Sequence, residues 1–109
     1  MKSLKFSLQP SRRPNKRSFL LLRQVSGDSM LPALRPGFPV IATGHYKTLV
    51  VGDVVIIHHG GLEKIKRIVD IRKDRLFVRG DNQAHSTDSR SFGWLHASVV
   101  VAKVLWPRC

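Results

Sequence analysis

Residues 63–80 read EKIKRIVDIRKDRLFVRG, and the alternation in this stretch decides the fold. Lys64–Asp70 and Arg75–Arg79 are rich in Ile and Val. They are joined by the polar Ile71-Arg72-Lys73-Asp74, the pattern of two strands forming a hairpin. In a strand, successive side chains point to opposite faces, so Lys64, Lys66, Ile68 and Asp70 share one face and Ile65, Arg67 and Val69 the other. Similar short segments recur on either side: Phe19–Val25, Pro39–Thr43, Asp53–His58 and Ser98–Leu105. Gly52-Asp53, Gly60-Gly61 and Gly80-Asp81-Asn82 mark turns between segments. No stretch keeps a helical period for three turns. The expected fold is all-β, either a small half-open barrel or two packed antiparallel sheets.

A chain of 109 residues holds one domain with a single modest core, so any active site must be compact. The longest apolar runs, Phe19–Leu22, Val54–Ile57 and Val99–Ala102, are far too short for a transmembrane helix. The N-terminal segment lacks the apolar stretch of a secretory signal, and the lone cysteine, Cys109, excludes an internal disulfide; both point to the cytoplasm. The net charge is +12, and seven cations with no acid fall within residues 1–24. With Pro10 and Pro14, residues 1–18 read as a disordered basic arm, and residues 1–24 are suited to weak peripheral contact with an anionic membrane. No helix-turn-helix, zinc-finger spacing or aromatic RNA-binding pair occurs, so no specific nucleic acid is expected as a partner.

The second informative stretch is SGDSMLPALRPG, Ser26–Gly37, which presents Ser29 in a turn. A Ser-His-Asp site fits poorly: Gly27-Asp28-Ser29-Met30-Leu31 lacks the second glycine of a nucleophile elbow, and His45, His58, His59, His85 and His96 are scattered. Neither a metal nor a cofactor is suggested by their spacing. A lysine is the alternative base. At an ordinary lysine pKa only about one amine in a few thousand is neutral at pH 7, so such a lysine must be desolvated. Lys66, between Ile65 and Arg67, is the residue best placed to be drawn inward, where burial and neighbouring positive charge favour the neutral amine. A third stretch, VRGDNQAHSTDSRSFG, offers Ser86 or Ser89 to orient that amine and an Asp88–Arg90 pair to staple the loop.

Taken in order, VSGDSMLPAL, IKRIV and GDNQAHSTDSR resemble the serine, lysine and Gly-Asp-Asn boxes of the signal peptidase I superfamily of Ser/Lys proteases, over most of the chain after Val25. The resemblance implies a serine endopeptidase core at residues 19–109, with Ser29 as nucleophile, its backbone N–H as oxyanion donor, and Lys66 as general base. Met30 then lies beside the substrate pocket. Ser86 orients the base, Gly80 leaves room near it, and Asp81, Asp88 and Arg90 brace the site. The sequence departs from membrane-anchored members in having only a short hairpin between Arg67 and Gly80. It also has Gly27 where some members have an oxyanion serine, and Phe38 where relatives usually have Asp. The short form is most similar to the nickel-type superoxide dismutase maturation proteases. That likeness implies a protein precursor as partner, trimmed of an N-terminal extension, with nickel belonging to the substrate and no cofactor in the enzyme.

Two other readings compete. Self-cleaving repressors share the Ser-Met and Lys-Arg pattern, although residues 1–24 are too short for a helix-turn-helix domain. A noncatalytic basic β-domain would bind nucleic acid or anionic membrane through its arm, with a steep salt dependence.

Overall fold

The computed structural model describes residues 3–5, 20–82 and 89–108. Its strands are β1 (Ser3–Lys5), β2 (Leu21–Gln24), β3 (Pro39–Thr43), β4 (Thr48–Val50), β5 (Val54–His59), β6 (Leu62–Arg72), β7 (Arg75–Arg79), β8 (Leu95–His96) and β9 (Val100–Trp106). One short helix, α1 (Ser89–Phe92), and a 3-10 turn at Ala97–Val99 complete the described elements. The strands form an antiparallel seven-stranded sheet in the order β2-β3-β9-β5-β6-β7-β8, beside a two-stranded ribbon of β1 and β4. The sheet is not closed into a barrel, since β2 and β8 are its two edges. The all-β expectation holds in its open form. Within the basic leader, Ser3–Lys5 run antiparallel to Thr48–Val50, while the rest of the segment expected to be disordered lies outside the described residues.

β5 explains why this sequence makes a sheet. Its run Val54-Val55-Ile56-Ile57 is buried at every position, as a central strand covered on both faces requires. Val55 and Ile57 pack into one cluster with Leu49, Ile68, Leu76 and Val78. On the opposite side, Val54 packs with Val25, Met30, Leu34 and Val40, and Ile56 with Ala42 and Ala102.

The hairpin of β6 and β7 extends further than the polar link suggested. Ile71 pairs with Leu76 and Arg72 with Arg75, leaving Lys73-Asp74 as the turn. Both Ile71 and Leu76 are buried, so their packing recruits the link residues into the strands. Lys73 carries a positive φ of 54° to close that turn. At the other end of the hairpin β7 stops at Arg79, opposite Arg67. Among the described residues, Leu62–Ile65 therefore have a strand neighbour on the β5 side alone. The sheet curls enough to bring separated strands together. Arg23 of β2 reaches Glu63 of β6 at 2.8 Å although β3, β9 and β5 lie between them in the sheet order.

Candidate active site

The segment after β2 is a turn anchored by apolar side chains. Leu31 N–H donates to the Asp28 carbonyl at 3.2 Å, and Leu34 N–H to the Met30 carbonyl at 2.9 Å. Met30 and Leu34, each 1% exposed, sink into the cluster with Val25, Val40 and Val54. Gly27 enters the turn at φ 76°, a backbone that side-chain-bearing residues rarely adopt. Ser29 is thereby held between a glycine-shaped entry and a buried methionine, half-buried itself. Met30 also borders the groove described below, so the residue expected beside the substrate doubles as the anchor of the serine turn.

A second chain segment holds the turn from outside. After β7 the backbone continues through buried Gly80 to Asp81 and Asn82. The Asn82 N–H donates to the Ser29 carbonyl at 2.7 Å, and its Nδ2 donates to the Asp28 carbonyl at 3.0 Å. Asp81 accepts two hydrogen bonds from the Arg67 guanidinium, Nε to Oδ1 at 2.9 Å and a terminal nitrogen to Oδ2 at 2.8 Å. Arg67 also donates to the Gly52 carbonyl at 2.9 Å. This two-bond geometry suits a guanidinium and a carboxylate, and it is mostly screened from water here. The serine turn is thus tied through Asn82 and Asp81 to Arg67, the residue next to Lys66.

Lys66 is 4% exposed, as its place between Ile65 and Arg67 led us to expect. It is the first residue of β6 beyond the end of β7, whose last residue, Arg79, pairs with Arg67. Ser29 and Lys66 line one groove of about 190 Å³, together with residues from the end of β2 and the start of β6. A separate cavity of about 350 Å³ lies against Pro32, Ala33, Val69 and Arg79–Asp81, so Gly80 and Asp81 border that cavity rather than the groove. Arg23 and Glu63 both line the groove and bridge to one another, with contacts of 2.8 and 3.2 Å. Hydrogen bonding from Arg23 holds the Glu63 carboxyl below its ordinary range, against the opposing effect of burial, and Glu63 in turn raises the Arg23 guanidinium.

The remaining expected residues divide. Ser86 and Asp88 lie outside the described residues. Arg90 sits exposed on α1. Ser89 is buried and its Oγ accepts from the Val78 N–H at 2.9 Å, which gives it a structural task on β7. Three participants were not singled out from sequence: Asn82, Arg67, and the Arg23–Glu63 pair. Asn82 stood in the quoted Gly-Asp-Asn, and Arg67 and Asp81 are opposite charges flanking the hairpin's open end. Arg23 and Glu63, 40 positions apart, left no sequence signal.

The antiparallel, unclosed sheet brings a turn-borne serine and a buried strand lysine to one groove. Residues 61–108 match the family of signal peptidase, peptidase S26. The chain is also 30% identical, over 79% of its own length and 73% of the relative's, to mitochondrial inner membrane protease subunit 1 of Schizosaccharomyces pombe. The chain belongs to the signal peptidase, peptidase S26, family, and as a peptidase it acts on protein substrates. Among the described residues no helix is long and apolar enough to cross a membrane.

Proposed function

We propose that this peptidase is a serine endopeptidase working through a Ser29/Lys66 dyad, and that it removes an N-terminal extension from a precursor protein. The observation that carries the reading is the meeting of a half-buried serine and a buried lysine on one groove, in a chain of this family. Burial disfavours the ammonium form of a lysine and so supports a neutral amine at Lys66. In the proposed reaction the Lys66 Nζ takes the Ser29 Oγ proton while the oxygen attacks the substrate carbonyl carbon. The oxyanion is received by the Ser29 backbone N–H. Lys66 then returns its proton to the departing amine, leaving an acyl-enzyme. In the second half Lys66 takes a proton from water, the hydroxyl attacks the ester, and Ser29 recovers its proton as the new carboxyl terminus leaves. Ser86 is the proposed orienting hydroxyl, and Asp88 and Arg90 the proposed outer braces.

The groove suits an extended peptide, since the outer edge of β2 and the Leu62–Ile65 edge of β6 both offer backbone groups to a strand laid between them. Nickel-type superoxide dismutase precursor is the substrate we propose, on the strength of the short hairpin between Arg67 and Gly80 and the three ordered boxes. A broader processing role is favoured by the likeness to a mitochondrial inner membrane protease subunit. Co-expression with the dismutase precursor, with its N-terminus read by intact mass, separates them. Trimming by wild type, and by neither Ser29→Ala nor Lys66→Ala, is expected. An untrimmed dismutase precursor beside a trimmed signal-peptidase-type substrate would move the assignment to the broader role.

A further inference from the structure

Arg23 and Glu63 do no chemistry in the proposed reaction, yet they line the same groove as Ser29 and Lys66. Arg23 comes from an edge strand and Glu63 from the part of β6 that β7 does not cover, so the pair joins the two banks between which an extended peptide would run. Both side chains are a little over one-third exposed, at 39% and 38%, and therefore reachable by a ligand. Their charges satisfy one another through two contacts. Lys64, which also borders the groove, points its ammonium over the Phe92 ring at 5.2 Å. A charged substrate side chain arriving at the bridge pairs with the oppositely charged partner only by displacing the like-charged one, which is left unmatched in a partly dehydrated site. An uncharged side chain has no such cost.

We propose that the Arg23–Glu63 bridge is a specificity-determining element, setting the spacing of the groove's two strand edges and selecting peptides that are uncharged where they pass it. This rests on the groove being the peptide site, as in the reading above. The test uses full-length protein carrying Ser29→Ala, so that binding is read without cleavage. The probe is a fluorescein-labelled alanine-based peptide with a single Gln, Glu or Lys scanned along its length.

With the bridge intact, one scan position should disfavour both Glu and Lys against Gln by about three- to fivefold in Kd, the scale of a half-exposed ion pair. Glu63→Gln should remove the penalty for Glu and keep that for Lys. Arg23→Gln should do the reverse. The swapped pair, Arg23→Glu with Glu63→Arg, should restore the parent pattern, which a loss of folding or a general loosening of the groove would not do. The same ranking in all four proteins, a swap that behaves like either single variant, or no binding of any peptide would overturn the proposal. A protein with Ser29 intact that binds with this charge pattern but cleaves nothing would instead overturn the peptidase mechanism and leave the bridge standing.

Discussion

Ser29 owes its position to the residues that hold it rather than to its own contacts. Asn82 bonds the carbonyls of both Asp28 and Ser29, so the aim of the serine depends on a residue more than fifty positions away in the chain. Asn82→Ala keeps the backbone bond and removes the Nδ2 bond to Asp28. The expected loss is about 1 kcal/mol of stability, and kcat should fall severalfold with KM little changed, because a loosened turn misaligns the proposed nucleophile without altering the groove. Unaltered kcat alongside the stability loss would reduce Asn82 to a structural role. At this scale the sequence reading went as far as pattern allows. Lys66 between Ile65 and Arg67 was recognisable as a lysine drawn inward, and it is buried. Asn82 was visible as a turn residue, but nothing local says which carbonyls it will meet. The Arg23–Glu63 bridge depends on the curl of a whole sheet, which no window of sequence contains.

Among the elements, legibility followed length and alternation. The pattern gives β3 and β7 at their observed bounds, and β5, β6 and β9 within a few residues of theirs, because each repeats an apolar side chain against a buried face. β4 and β8, three and two residues long, carry too little pattern to register, and the 3-10 turn at Ala97–Val99 arises where His96 Nδ1 accepts the Ser98 N–H at 3.0 Å. The β6–β7 turn is narrower than the polar pattern of Ile71-Arg72-Lys73-Asp74 implies, because Ile71 pairs with Leu76 and both are buried. The two-residue turn that results forces Lys73 to φ 54°, a conformation that costs a residue with a Cβ about 1–2 kcal/mol. Glycine removes that cost and adds some chain entropy to the unfolded state. Lys73→Gly should therefore stabilise the protein by about 0.5–1 kcal/mol in thermal or urea unfolding. A destabilised variant would mean that the lysine side chain contributes more than its backbone loses.

Across the molecule, β5 joins the two sides of the core. Its Val55 and Ile57 face the cluster with Ile68 and Leu76, while Val54 faces the cluster that contains Met30. Ile57→Ala should cost about 2–5 kcal/mol, seen as a lower urea midpoint at an unchanged slope. A loss below about 1 kcal/mol would show that the sheet repacks around the cavity. The same strand pairs Val55 with Lys66, so the core and the candidate catalytic lysine share one backbone ladder. The claim on which the functional account turns is the role of that lysine. The most direct measurement is the rate of precursor cleavage by purified wild type and Lys66→Ala, compared from neutral to alkaline pH with folding checked by thermal unfolding. The account predicts that the folded variant loses about a thousandfold or more at every pH. It also predicts that the wild-type rate falls toward acid as the amine gains a proton. A folded Lys66→Ala protein that cleaves at near wild-type rate would contradict the dyad.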